Sequence, residues 1–379
     1  MATPSFSPRP QAEDAASLWL DQLLTLSLQD QASDLHFEPA GQCLRVRRRI
    51  DGLLQEVEVP AAIHPERMVS RLKILARMDI GEKRRPQDGR WAIDWQGERV
   101  HIRVSSMPTV RGEKLVLRLM RMNARLGQLE ELGYAPTDLA RLRRALREPD
   151  GLILFTGPTG AGKSLSMVHC LREINSPELN ITTVEEPVEI LLPGIHQVAV
   201  HEAIGLNFAQ CLRALLRQDP DVLMVGEIRD LETAKVAVQA AQTGHLVLST
   251  LHCNDAAHAL VRLQDLGLPP YHVATCLRLV TAQRLVRRLC PHCRRCDALW
   301  GWVATGCAQC RHGYQGRIGL FEVMPMDESL QRLILQGADS LALAQQARAS
   351  GMTGLREDGW SKAAQGLTTR AEVEAATHA

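Results

Sequence analysis

The chain has 379 residues, 45% of them hydrophobic and 23% charged. At roughly 150 residues per domain this predicts two or three domains with cores of their own, and the balance excludes disorder and collagen-like repeats. Lys+Arg 44 against Asp+Glu 43 leaves a net charge of +1, so no global basic field draws in nucleic acid. No stretch reaches the ~18 to 20 uninterrupted apolar residues of a membrane span. The N-terminal residues place acids ahead of their apolar positions without a basic leader, unlike a signal peptide.

Residues 12–29 read as an amphipathic helix with Leu18, Leu24 and Leu28 on its candidate apolar stripe, and 1–30 is assigned to this short N-terminal helix. LRVRRRI (44–50) and LLQEVEV (53–59) flank Asp51-Gly52, a two-residue hairpin signal. Residues 64–78 carry Met68, Leu72, Leu75 and Met78 at helical spacing, and RWAIDW, RVHIRVSSM and KLVLRLM follow as strands. Residues 31–120 are therefore predicted to be a small α+β domain, with 121–135 as a linker. From Gly151 the texture changes. LILF, ITTV, VLMV and HLVLS alternate with helical segments, the pattern of a mostly parallel sheet covered by helices. Beyond residue 325 the chain reads as helical, with Gly351, Gly354 and Gly366 as punctuation. The second domain is thus expected over 136–379, with 325–379 as its helical C-terminal region.

The segment Gly157-Pro158-Thr159-Gly160-Ala161-Gly162-Lys163-Ser164 matches G-x-x-x-x-G-K-S/T in full, after an apolar strand and before a helix. Glycines let backbone N–H groups turn inward around phosphates, and the helix N-terminus adds a favourable field. Lys163 is expected at the β- and γ-phosphates of ATP and the Ser164 hydroxyl on Mg²⁺. Hydrolysis also needs an acid beside the attacking water. Asp221 to Glu227 supplies an apolar strand ending in Glu227, where open α/β sheets place ligands. The competing use of Glu227, capping the next helix, suits Asp230 better.

Of the 10 cysteines, Cys290, Cys293, Cys296, Cys307 and Cys310 crowd together. Cys290-x2-Cys293 and Cys307-x2-Cys310 have the spacing of a four-cysteine zinc ribbon over 290–310, with Cys296 and His292 as possible substitutes. A closed four-thiolate site has no open position, so its Zn²⁺ is expected to be structural. This cysteine usage points to a reducing, cytoplasmic compartment.

Several segments in order resemble the ATPases of the type II secretion and type IV pilus assembly family: SDLHFEP (33–39), RRPQDGR (84–90), GPTGAGKS, TVEEPVE (183–189), LRQDPDVLMVGEIRDLETA (216–234), TGHLVLSTLHCNDA (243–256) and AQRLVRRLC (282–290). The resemblance implies a RecA-like α/β P-loop ATPase domain preceded by a small α+β (PAS-like) domain. It implies an acidic box at Glu185 and Glu186, where the family usually has Glu-Asp-Pro and this chain has Glu-Glu-Pro. It places His245 and His252 near the γ-phosphate, and it assigns arginines that stabilise transferred charge to Arg103, Arg118, Arg213 and Arg217. It further implies a hexameric motor that works on an inner-membrane platform protein to assemble a filament. Assembly motors carry the tetracysteine module, whereas pilus retraction motors generally lack it. The recruitment segment that larger members place before residue 33 is reduced here to a short helix. A RecA-like nucleic-acid translocase is the runner-up, opposed by the near-neutral charge and by an aromatic content of only 4%, little for base stacking.

Overall fold

The computed structural model describes residues 15–122 and 127–377. The chain divides into two compact units between Ala124 and Arg125.

The first unit comprises α1 (Ala15–Gln29), β1 (Asp34–Ala40), β2 (Cys43–Ile50), β3 (Leu53–Val57), α2 (Pro65–Leu75), β4 (Gln87–Trp95), β5 (Glu98–Thr109) and β6 (Gly112–Arg121). The strands form one antiparallel sheet in the order β3-β2-β1-β6-β5-β4. Alternation decides its faces. Leu35, Phe37, Val46, Ile102, Leu115 and Leu117 join Leu20, Leu24 and Leu28 of α1 and Met68 and Leu72 of α2 in one core. Many of the intervening positions carry charge, Asp34, Glu38, Arg45, Arg47, Arg103 and Arg118 among them. Leu18, expected on the apolar stripe, is exposed; the i, i+4 row through Leu20, Leu24 and Leu28 is the buried one, and Leu18 points elsewhere. Residues 12–14 of the expected helix lie outside the described residues. Asp51 and Gly52 take φ of 49° and 86°, the left-handed pair that a tight hairpin turn demands.

In the second unit a 3-10 turn (Leu129–Leu132) leads to α3 (Pro136–Ala145), β7 (Gly151–Thr156), α4 (Lys163–Ile174), β8 (Ile181–Glu185), β9 (His196–Ala199), α5 (Phe208–Leu215), β10 (Val222–Val225) and α6 (Leu231–Gln242). β11 (Leu246–Leu251), α7 (Ala256–Asp265), α8 (Pro270–Cys276), β12 (Leu277–Leu289), β13 (Arg295–Asp297), β14 (Gly301–Val303) and β15 (Tyr314–Pro325) follow. The chain closes with α9 (Glu328–Leu335), α10 (Ser340–Ala349), α11 (Leu355–Ala364) and α12 (Arg370–Thr377). Seven strands order as β15-β12-β7-β11-β10-β8-β9, parallel except for β15 on β12. Separate apolar clusters pack on the two faces of this sheet. Every residue of β7 is therefore buried, and it reads as a continuous apolar run rather than an alternating one.

The segment 121–135 is only partly a linker. β6 extends to Arg121, and Leu129 and Tyr134 are buried in the core of the second unit. Among the described residues no helix is long and apolar enough to cross a membrane.

Candidate active site and metal centre

The P-loop leaves the carboxyl end of β7, and its last residues open α4. Gly157, Gly160 and Gly162 have φ of 147°, 79° and 88°. A Cβ on Gly157 would stand 2.5 Å from the Gln283 carbonyl oxygen, so only glycine fits there. Gln283, buried on β12, clamps the loop: its Nε2 donates to Ala161 O at 2.6 Å, and its Oε1 accepts from Ser166 Oγ at 2.8 Å. Lys163 Nζ donates to the carbonyl oxygens of Gly157 (2.7 Å) and Pro158 (3.1 Å). Burial pulls its pKa down to about 8, against the attraction of Glu227.

Ser164, Glu185, Glu186, Glu227, Phe208 and Met224 line one cavity at this end of the sheet. Asp230 caps α6, accepting from Thr233 N at 2.8 Å, which leaves Glu227 free for the cavity. Arg229 bridges two acids, with Nη1 2.9 Å from Glu186 and Nη2 2.5 Å from Glu227. His252 Nε2 lies 3.4 Å from the other Glu227 oxygen. Burial alone would raise the Glu227 carboxyl; the Arg229 hydrogen bond and charge, with His252, outweigh it and hold the group below its ordinary range. Glu185 differs. It is buried, its Oε1 accepts from Thr183 Oγ1 (2.6 Å) and Gln197 Nε2 (2.9 Å), and desolvation pushes its pKa up.

His245 stands apart from His252. It precedes β11 at the amino end of the sheet and contacts Ala240 O, whereas His252 follows β11 at the P-loop end. The strand between them puts roughly 20 Å between the two histidines at ~3.3 Å per residue. Of these two histidines, His252 is the one at the P-loop end of the sheet. The two expected arginines of the second unit have partners of their own on neighbouring elements. Arg213 pairs with Glu232 on α6 (2.7 Å), and Arg217, past the end of α5, donates to Arg213 O.

In the first unit, Arg103 and Arg118 are cross-strand partners. The register extends the row to Arg90 beside Arg103, and to Asp34 and Arg49 beyond Arg118. Asp34 Oδ1 lies 3.1 Å from Arg118 Nε. Four guanidinium residues thus share a line with one carboxylate on the face opposite the core. Like charges set directly opposite destabilise a sheet, so the row costs stability and suits an anion. Arg90 belongs to RRPQDGR, but only the register reveals that it joins the other two. Gln283 and Arg229 were likewise not singled out from sequence, because their importance lies in what they touch.

The sulfur atoms of Cys290, Cys293, Cys307 and Cys310 lie within 4.8 Å of one another, and neither Cys296 nor His292 belongs to the group. Cys290–Cys307 and Cys293–Cys310 are 3.9 and 3.6 Å apart. The Cys307 N–H also points at Cys310 Sγ, 3.2 Å away. This arrangement suits a single ion held by four thiolates. The hairpin β13–β14 in the same insertion is anchored by Trp302, whose Nε1 donates to Ala364 O.

A strand, a phosphate-binding loop, a helix and an acid ending a neighbouring strand define a P-loop nucleotide-binding protein. A model of the type II/IV secretion system protein family matches residues 11–375, and the chain belongs to that family. The type II secretion system protein HxcR of Pseudomonas aeruginosa is 49% identical over 355 residues, covering 93% of this chain and 76% of that protein. The type IV pilus assembly ATPase PilB of the same species is 42% identical over 387 residues, covering 97% and 68%. The Legionella pneumophila ATPase DotB superposes with a TM-score of 0.73 over 97% of each chain at 20% identity, a likeness of fold. The nucleic-acid translocase reading gains no support from these relatives.

Proposed function

We propose that this chain is an ATP-hydrolysing motor that powers assembly of a type II secretion pseudopilus or a type IV pilus-like filament. The observation that carries the reading is the convergence of Lys163, Ser164, Glu186, Glu227 and His252 at one end of the sheet. Relatives that are 49% and 42% identical support it from the outside.

On this reading the P-loop amides and Lys163 hold the phosphates, Lys163 exchanging its loop carbonyls for phosphate oxygens. Mg²⁺, held by the Ser164 hydroxyl, would offset phosphate charge. Glu227, kept ionised by Arg229 and His252, orients and deprotonates the attacking water. Glu186 lines the same cavity as Glu185 but is the more exposed of the two, and it shares Arg229 with Glu227. Glu185 instead braces β8 through Thr183 and Gln197. Arg103, Arg118, Arg213 and Arg217 would supply charge to the transition state.

The four thiolates are assigned to zinc. Tetrahedral Zn–S bonds of ~2.3 Å set sulfurs about 3.8 Å apart, and the 3.6 and 3.9 Å separations here accord with that. Homohexamers in the cytoplasm, peripheral to the inner membrane through a platform protein and a recruitment protein, complete the proposal. Its test is steady phosphate release by the purified full chain with Mg²⁺. Sizing with and without a non-hydrolysable ATP analogue reads the hexamer. Absence of turnover in an assembled ring, or stimulation by DNA that salt abolishes, would overturn the reading.

A further inference from the structure

β12 runs beside β7, with Ala282 opposite Thr156, so Gln283 and Arg284 project just past the strand end from which the P-loop springs. Gln283 clamps the loop, and that clamp fixes where Arg284 stands. Arg284 Nη1 lies 3.4 Å from the position a Cβ on Gly157 would take. The guanidinium donates to two main-chain carbonyls, Gln283 O at 3.1 Å and Asn254 O at 2.8 Å. Among the described residues no carboxylate forms an ion pair with it; Asp255 and Glu322 attract it only from farther off.

A half-buried guanidinium without a counter-ion is expensive to keep. Its neighbour is another cation: Arg284 and Lys163 repel one another, and burial depresses the proton affinity of both. Two desolvated cations converging on one glycine-rich loop form a site already arranged for a polyanion. The Asn254 bond fixes the direction. Asn254 lies in the loop after β11 that begins with His252, and His252 faces Glu227. Arg284 therefore reaches from β12 past the end of β7 to the loop after β11, the loop that carries His252.

We infer that Arg284 is a second phosphate-binding cation, engaging the terminal phosphate of a nucleoside triphosphate and tying that contact to the His252 loop through Asn254. The inference rests on the ATPase reading above. It predicts discrimination between tri- and diphosphate, which a purely structural arginine does not provide.

The test is titration of the full chain with Mg²⁺ and either ADP or a non-hydrolysable ATP analogue, comparing the parent with R284Q, R284M and R284K. R284Q keeps an amide for Asn254 O and removes the charge; R284M serves where R284Q does not fold. The neutral variants are expected to lose about tenfold in affinity for the triphosphate and less than about twofold for ADP, and R284K to recover most of that loss. An unchanged triphosphate-to-diphosphate ratio, or equal losses for both nucleotides, would overturn the assignment. A parent that binds neither nucleotide would sink the ATPase reading itself, whereas a binding parent with an insensitive Arg284 sinks only this inference.

Discussion

Arg103 stands directly opposite Arg118 across β5 and β6, with Arg90 flanking one and Asp34 the other. Such a pairing opposes folding by ~0.2 to 1 kcal/mol against a neutral pair. Removing the Arg103 guanidinium is therefore expected to leave the melting temperature unchanged or slightly higher, whereas R118Q also gives up the ion pair with Asp34 and should lower it. If these side chains stabilise charge in the transition state, R103Q and R118Q should each lose at least about tenfold in turnover with little change in nucleotide affinity. Mixing either variant with inactive K163A subunits should restore some turnover where the arginine acts across a subunit boundary. Full activity of both single variants removes them from the site.

Glu227 is held ionised by Arg229 and His252, and the helix-capping duty is met by Asp230. E227Q should bind ATP near parental strength and lose turnover by about a hundredfold or more, because an amide does not accept the water's proton. K163A, by contrast, should lose binding itself. Turnover of E227Q at the parental rate would end the assignment.

Lys163 gives a pH signature. Its folded pKa is pulled down to about 8 from an ordinary value of 10.5, so between those values the unfolded chain binds more protons. Stability of the nucleotide-free protein should accordingly rise with pH across that window, and this contribution should vanish in K163M. Nucleotide affinity should move the opposite way, falling as pH passes about 8 and the ammonium is lost. Chemical denaturation and nucleotide titration at several pH values read both signs.

Much of this was legible in the residues. β7, β8, β10 and β11 announce themselves as short apolar runs, because strands buried on both faces need no alternation. The P-loop and cysteine spacings are local and chemical, so they survive without a fold. β12 and β15 were not anticipated: arginines at 284, 287 and 288 interrupt the apolar pattern of β12. They are tolerated there because Arg284 lies beside the P-loop, Arg287 pairs with Glu372 on α12, and Arg288 is exposed. The arginine row was invisible for a different reason. Its members come from five strands, and only the register makes them neighbours.

The cysteine insertion should be structural. The purified chain should carry about one zinc ion, on the four-thiolate logic. C293S and C310S should each lower metal content and destabilise the C-terminal region, because Trp302 of the same insertion rests on α11 and Gly366. A Cβ on Gly366 would stand 2.7 Å from the Trp302 ring, so G366A should loosen that anchor while sparing metal content. Metal analysis with limited proteolysis separates the two effects. Full occupancy in the double cysteine variant would redirect the site to Cys296 and His292.

The two histidines of TGHLVLSTLH provide the sharpest contrast, since sequence alone treats them alike. β11 carries them to opposite ends of the sheet, with His252 against Glu227 and His245 against the end of α6. H252A should lower turnover by about tenfold or more, since it removes one of the two groups that hold the Glu227 carboxylate in place. H245A should leave turnover within about twofold, because its ring contacts are to Ala240 O and Thr243 Oγ1, at the end of β11 away from the P-loop. Its cost should fall on stability, as a modest drop in melting temperature. Steady-state phosphate release and thermal melts on both variants decide the matter. A strong loss of turnover in H245A as well would show that the amino end of β11 reaches a nucleotide in the assembled ring, and would overturn the placement of catalysis at a single end of this sheet.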